Sequence, residues 1–203
     1  MSQNYTHLFK TREIIDKYDS NKIRQYIDLI LEYNQKVNIV SRETSVDDLL
    51  RIAADCLVPF EYIKPLSGKF FDIGPGGGFP SIILLLAFPS LSGTLIERTG
   101  KKAVFLNEVI NRFGLDASVI NRDFIEASGK LTPGSFDGAV MKLVRPEERI
   151  FRKIASLIGK NGRFIYYGSP KNIDFKLPAR FSALSYDYYL DDTERLRSIT
   201  IFS

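Results

Sequence analysis

The stretch DIGPGGGFP at residues 72–80 joins a short apolar segment to the apolar run Ser81–Phe88 and determines the predicted fold. Three of its four glycines, Gly74, Gly76 and Gly78, stand at alternate positions. Glycines after a predicted strand allow the backbone to approach a ligand closely. That ligand is either the phosphate groups of a nucleotide or a cofactor that carries none.

Short apolar segments alternate with helical patterns from Gly68 onward, and this alternation predicts a doubly wound α/β sheet. The last two strand segments leave no room for a helix between them. We therefore expect a seven-stranded, mostly parallel sheet with an antiparallel terminal strand. Strands are predicted near residues 69–73, 93–97, 117–121, 136–141, 162–167, 183–189 and 196–202, and helices near 79–88, 99–113 and 146–158.

The N-terminal third has a different pattern, because its apolar residues recur at helical spacing. Ser45 caps one of these predicted helices, with Asp47 and Asp48 in its first turn. The sequence predicts an N-terminal helical cap over residues 1–65, followed by one compact ligand-binding domain over residues 66–203.

The composition, with 44% hydrophobic and 26% charged residues in 203, is typical of a globular protein with one core. Neither the N-terminal segment nor the longest apolar run, Ile82–Phe88, resembles a signal peptide or a membrane span, so we expect a cytoplasmic protein without a membrane partner. Cys56 and His7 are single residues of their types. Neither a disulfide nor a metal site is expected.

Positive charge is concentrated between Lys142 and Arg180, where ten basic residues stand against three acidic ones. Such an excess suits a polyanion such as RNA. It is equally typical of a solvated helix face with lysines in the adjoining loops.

The glycine stretch differs from two nucleotide-binding motifs. A dinucleotide fingerprint has a third glycine where this chain has Phe79, and a phosphate-binding P-loop has a Gly-Lys-Ser/Thr sequence that is missing here. Pro80 suits the first turn of a following helix. The stretch therefore favours a ligand other than a nucleotide phosphate.

Residues at the next two strand ends describe an adenosine site. Glu97 is placed to accept both ribose hydroxyls, Asp123 to accept the adenine amino group, and Phe124 to stack on the ring. S-adenosylmethionine fits this pattern, with its carboxylate on the loop amides and its positive groups near Asp72. The alternatives are a turn with a purely structural role and another nucleotide.

Several segments of the chain together resemble the bacterial 16S ribosomal RNA guanine-N7 methyltransferases, the RsmG or glucose-inhibited division protein B family. The resemblance runs through nearly the whole chain in order. It includes YNQKVNIVS at 33–41, RIAADCL at 51–57, DIGPGGGFP, GKKAVFLNEV at 100–109, NRDF at 121–124, FDGAVMK at 136–142 and ERLRSITIF at 194–202.

This resemblance implies a Rossmann-like methyltransferase fold, S-adenosylmethionine as methyl donor, and 16S ribosomal RNA or small ribosomal subunit particles as partner. A monomer is expected. Guanine N7 has a free in-plane lone pair, so positioning alone serves the transfer and no general base is needed. The implied cofactor-binding residues are Asp72, Gly74, Gly76, Gly78, Phe79, Glu97, Asp123, Phe124 and Lys142.

Lys142 and Arg145 are the residues expected to meet the substrate, through guanine O6 or the adjacent phosphates. The alternative for both is a solvated loop charge. Asp55 is expected to pair with Arg51 on the cap helix.

The chain departs from the family pattern on this acceptor side. Ile52 replaces a histidine, Lys142 an arginine, and the segment at Tyr166 and Tyr167 lacks the usual lysine. Two further functions stay open: a methyltransferase with another nucleic-acid or small-molecule acceptor, and a non-catalytic S-adenosylmethionine-binding protein.

Overall fold

A computed structural model of the protein describes residues 6–192 and 194–203. These residues form seven α-helices and one sheet of eight strands. The strands are β1 (His7–Phe9), β2 (Gly68–Ile73), β3 (Leu91–Ile96), β4 (Ala117–Ile120), β5 (Phe136–Lys142), β6 (Ile158–Tyr167), β7 (Ala183–Leu190) and β8 (Arg197–Phe202). The helices are α1 (Thr11–Ile15), α2 (Ser20–Asn34), α3 (Val46–Leu57), α4 (Ser81–Ala87), α5 (Gly100–Phe113), α6 (Phe124–Ser128) and α7 (Glu148–Leu157).

The strand order is β1-β7-β8-β6-β5-β2-β3-β4, and β8 runs antiparallel to both of its neighbours. The other pairs are parallel, as the alternation of strands and helices predicts. The last residue of β2, Ile73, is level with Ile96 of β3 and Met141 of β5. The loops that follow these parallel strands therefore lie together at one edge of the sheet, where ligands bind in open α/β sheets.

Two elements were missed by the sequence-based prediction. Strand β1 adds an eighth strand to the predicted seven and interrupts the predicted all-helical cap, of which residues 1–5 lie outside the described residues. It has three residues and depends on β7 for its hydrogen bonds, so its local sequence carries no periodic signal. Helix α6 has only five residues and is equally difficult to predict.

Helices cover both faces of the sheet, and alternating side chains of β2 divide the core between them. Phe70 packs with the cap helices, α4 and α5, whereas the adjacent Phe71 packs with α6 and α7. Ile23 of α2 and Leu49 of α3 belong to the same apolar cluster as Phe70, so the cap packs directly on the sheet. Among the described residues, no helix is both long enough and apolar enough to span a bilayer.

Candidate active site

The glycine loop, residues 74–80, connects β2 to α4 at the edge where the parallel strands end. Gly74 and Gly78 both have positive φ, 68° and 94°. A Cβ at Gly74 would lie 2.9 Å from Cγ2 of Val144, and one at Gly78 would collide with the Tyr26 hydroxyl. The same hydroxyl donates a hydrogen bond to the Gly77 carbonyl. The loop is thus held between helix α2 of the cap and the segment that follows β5.

Asp72 lies beneath this loop and is fully buried. One carboxyl oxygen accepts a hydrogen bond from the Ser81 amide at 3.1 Å, at the start of α4. Burial, with a smaller contribution from the charge of the nearby Glu97, raises the pKa of Asp72 to about 8 despite the lowering effect of the Ser81 hydrogen bonds. Asp72 is therefore largely protonated at neutral pH and fixes the shape of the loop from below.

Glu97 follows β3 and connects the glycine loop to helix α5. Its two carboxylate oxygens accept hydrogen bonds from the Gly76 amide at 3.0 Å and the Thr99 amide at 2.7 Å. A carboxylate has about four acceptor positions, so each oxygen keeps capacity for a hydroxyl donor. Glu97 both shapes the loop and offers free acceptors beside it.

A cavity of about 460 Å³ opens at these strand ends, and we call it the strand-end cavity. Glu97, Asp123 and Phe124 line it together with Gly74 and Gly76. Asp123 is exposed and caps α6 through one oxygen, which accepts from the Ile125 amide at 2.8 Å. The volume is typical of a small-molecule site, and the walls combine apolar surface with a few acceptors.

A second cavity of about 490 Å³, the cap-side cavity, opens on the other side of the glycine loop, toward α3. Ile52, Asp55, Phe79, Lys142 and Arg197 line it. Four residues line both cavities and mark where they meet: Gly74, Gly76, Lys102 and Leu143.

The wall of the cap-side cavity contains a buried charged cluster around Asp55. Lys142 forms an ion pair with one carboxylate oxygen, with side-chain exposures of 10% and 5% for the two partners. The other oxygen accepts from the Tyr188 hydroxyl at 2.7 Å and from Arg197 Nη1 at 3.3 Å. Two cations and one carboxylate give this wall a net positive charge.

The hydrogen bonds and charges of this cluster fix the protonation of its members. Burial alone raises the pKa of Asp55, but Lys142, the Tyr188 hydrogen bond and Arg197 together lower it below its usual value. Burial and the Asp55 charge raise the pKa of Tyr188, so its hydroxyl stays protonated and donates. Lys142 Nζ also lies 5.1 Å from the centre of the Tyr167 ring.

Residues 19–178 match the family model GidB, described as rRNA small subunit methyltransferase G. The chain belongs to this family. Ribosomal RNA small subunit methyltransferase G of Mycoplasma capricolum subsp. capricolum is 31% identical over 170 residues, which cover 83% of this chain and 70% of the relative. The protein of the same name from Staphylococcus aureus strain JH9 is 29% identical over 165 residues, covering 79% and 68%.

Solved structures share the fold at low sequence identity. Precorrin-6y C5,15-methyltransferase from Geobacter metallireducens superimposes with a TM-score of 0.55 at 13% identity, and the match covers 81% of this chain and 92% of that one. The GidB-family chain therefore has the Rossmann-like methyltransferase fold that the strand alternation and the family resemblance predict.

The structure brings most of the predicted cofactor residues to one place. The strand-end cavity is lined by Gly74, Gly76, Glu97, Asp123, Phe124 and Arg145, and the cap-side cavity by Gly74, Gly76, Phe79 and Lys142. Asp72 and Gly78 line neither cavity, because they support the loop from beneath and against α2. Arg145, predicted to meet the substrate, thus lies on the exposed rim of the strand-end cavity, whereas Lys142 lines the cap-side cavity.

The predicted pairing of Asp55 with Arg51 is wrong. Arg51 instead contacts Asp48 at 3.3 Å and Asp191 at 3.2 Å, which leaves Asp55 to Lys142. Neighbours in one helix are the simplest partners to predict, whereas the real partners of Asp55 are 87 to 142 residues away.

Sequence reasoning also missed Tyr188, for which no local pattern exists, and Arg197, which lies in the segment ERLRSITIF that carries the family resemblance. Tyr166 and Tyr167 are both buried. The Tyr167 hydroxyl donates to the Cys56 carbonyl at 2.6 Å, so it supports α3 beneath the cap-side cavity.

Proposed function

We propose that this chain transfers a methyl group from S-adenosylmethionine to N7 of a guanine in 16S ribosomal RNA. The observation that carries the proposal is the meeting of two cavities at the glycine loop, in a chain of the GidB family. One cavity has the acceptors that an adenosine needs, and the other has cationic donors. A methyl group held between them has its source on one side and its acceptor on the other.

The strand-end cavity fits the donor. Glu97 keeps free acceptor positions for the ribose hydroxyls, Asp123 has a second carboxylate oxygen for the adenine amino group, and Phe124 offers apolar surface. S-adenosylmethionine, when bound, supplies a methyl group activated by a positively charged sulfur. Asp72 and Gly78 serve this site indirectly, by fixing the loop whose backbone faces the ligand.

The cap-side cavity fits a guanine presented by its O6 and N7 edge. Both atoms of that edge are acceptors, whereas adenine presents a donor at the equivalent position. Lys142 has two ammonium protons beyond the one given to Asp55, and Arg197 Nε is buried without a hydrogen-bond partner among the described residues. Donation to O6 from either cation selects guanine and leaves the N7 lone pair free.

Methyl transfer to guanine N7 requires little from the chain beyond this positioning of the two reactants. Guanine N7 is unprotonated at neutral pH, so no residue has to remove a proton before the transfer. Holding two reactants in line contributes about 7–11 kcal/mol in favourable cases. The buried Asp55 keeps Lys142 and Arg197 in place for that task.

The test compares 16S ribosomal RNA from a strain with and without this protein. Digestion to nucleosides and mass spectrometry measure 7-methylguanosine, which we expect to fall by one residue per RNA in the deletion strain and to return with the wild-type gene. An unchanged content would contradict the proposal. Methylation of another acceptor by the purified protein would favour the alternative of a changed substrate.

A further inference from the structure

Leu143 is the most exposed large apolar side chain among the described residues, with 90% of its surface accessible. It directly follows β5, and its neighbours in the chain both point inward. Lys142 is held in the buried cluster by Asp55, and Val144 lies against Gly74. The backbone therefore presents one leucine outward between two anchored residues.

The backbone of Leu143 is also strained. Its φ of 58° lies in the left-handed region, which a bulky residue without a local hydrogen bond rarely adopts. The other described non-glycine residue with positive φ, Asp191, has an evident compensation, because its carboxylate accepts hydrogen bonds from the amide and hydroxyl of Thr11. A leucine side chain gains nothing comparable. Strain of this kind concentrates at ligand-binding and catalytic sites.

The strained residue Leu143 lies at a functionally important position. Leu143 lines both the strand-end cavity and the cap-side cavity, so it lies where donor and acceptor have to meet. Cationic side chains line the same cavities beside the acidic ones: Lys102 lines both cavities, Arg145 the first, and Arg195 and Arg197 the second. An exposed apolar side chain that shares its cavities with cationic ones matches an unpaired RNA nucleotide, whose base has an apolar face and whose phosphates are negative.

We propose that Leu143 contacts the face of the acceptor guanine and holds the plane of the base toward the strand-end cavity. This inference rests on the proposed function and adds to it the form of the substrate, a guanine unstacked from single-stranded RNA. Contact with the face of the ring leaves the in-plane edge free, so O6 still reaches Lys142 or Arg197 while N7 faces the methyl group. Edge recognition and face contact then come from adjacent residues of one chain segment.

The experiment compares Leu143→Ala and Leu143→Met with Leu184→Ala, which truncates an exposed leucine on β7 that lines neither cavity. Steady-state methylation of small ribosomal subunits from a deletion strain gives kcat/KM for RNA, and calorimetry gives the affinity for S-adenosylmethionine. Loss of one base contact lowers kcat/KM for Leu143→Ala by about tenfold. Leu143→Met keeps an apolar contact and most of the activity, and the cofactor affinity of all three variants stays within about twofold of wild type.

Leu143→Gly provides a second variant whose folding is not at risk, because glycine adopts this backbone conformation readily. It is expected to melt no lower than Leu143→Ala and to lose as much activity. Wild-type kcat/KM in both truncated variants would overturn the inference, and so would a loss that is explained by weaker cofactor binding. A wild-type protein that binds the cofactor but methylates no RNA would instead overturn the proposed function, and the inference with it.

Discussion

The two cavities that meet at the glycine loop are built from different groups. The strand-end cavity is shaped by backbone amides and by Glu97, which accepts hydrogen bonds from the Gly76 and Thr99 amides in the loops that follow β2 and β3. The cap-side cavity depends on Asp55, whose partners come from β5, β7 and β8. The first is a local product of the strand ends, whereas the second exists only when the cap and the terminal strands are packed together. Substitutions in the cap-side cavity are therefore expected to lower the stability of the protein as well as its activity.

Asp55→Ala is expected to have the largest effect. It leaves Lys142 and Arg197 buried without their counter-ion, and breaking a buried pair costs about 3–5 kcal/mol. Urea unfolding measures the loss. The control is Glu126→Ala, which removes an exposed ion pair with Arg122 and is expected to cost less than about 1 kcal/mol. Equal losses in the two variants would contradict the distinction between the cavities.

Glu97→Ala is expected to affect the strand-end cavity with much less loss of stability. It removes the acceptor for the Gly76 and Thr99 amides together with the proposed ribose contact. Affinity for S-adenosylmethionine, measured by calorimetry, should fall about 100-fold, since hydrogen bonds to a charged group contribute about 1.5–3 kcal/mol each. Glu108→Ala, at an exposed glutamate of α5, should bind the cofactor like wild type.

Asp72→Asn tests the protonated carboxyl beneath the loop. The folded protein keeps this proton to about pH 8, whereas the unfolded chain releases it near the ordinary pKa of an aspartate, 3.8. Wild type therefore loses stability relative to the variant as pH rises from 4 to 8, by at most about 1.4 kcal/mol per pH unit. Chemical unfolding of both proteins across this range measures the difference. Parallel pH profiles would contradict a buried, uncharged Asp72.

Arg145→Ala is expected to have the smallest effect, because this exposed side chain lies on the rim. Loss of one phosphate contact should weaken RNA binding about threefold and reduce the slope of log affinity against log salt by about 0.7. Filter binding at several salt concentrations gives both values. Arg112→Ala, an exposed arginine of α5 outside both cavities, is the matched control. The same change in the salt-dependence slope for both variants would contradict a specific phosphate contact by Arg145.

The difference between the cavities also explains how much the sequence could predict. Glu97 directly follows β3, and Asp123 and Phe124 come three and four residues after the end of β4. The ends of parallel strands meet at one edge, so the convergence of these residues follows from the alternation of elements. The glycine spacing predicts a backbone that approaches a ligand, and in the structure Gly74 and Gly78 lie close to Val144 and Tyr26. Position 78, however, has to be glycine because a side chain there would collide with Tyr26 of the cap, and Asp72 accepts a hydrogen bond from the start of α4. Neither contact can be predicted from the sequence pattern.

The cap-side cavity could not be predicted in the same way. Asp55 lies on a helix with Arg51 one turn away, and local spacing favours that pair. Only the packed structure brings in Lys142, Tyr188 and Arg197, and the exposure of Leu143 likewise depends on how its neighbours are anchored. Long-range contacts between a cap and a terminal antiparallel strand leave no periodic trace in the sequence.

The most direct test of the account is methyl transfer in a purified system. Small ribosomal subunits from a deletion strain are incubated with the protein and S-adenosylmethionine carrying a tritiated methyl group, and the labelled nucleoside is identified after digestion. The account predicts one label per particle, on guanine N7, for wild type, and labelling that is about 100-fold slower for Glu97→Ala at a cofactor concentration below the wild-type Kd. Absence of label with wild type, or label on any other atom, would contradict it.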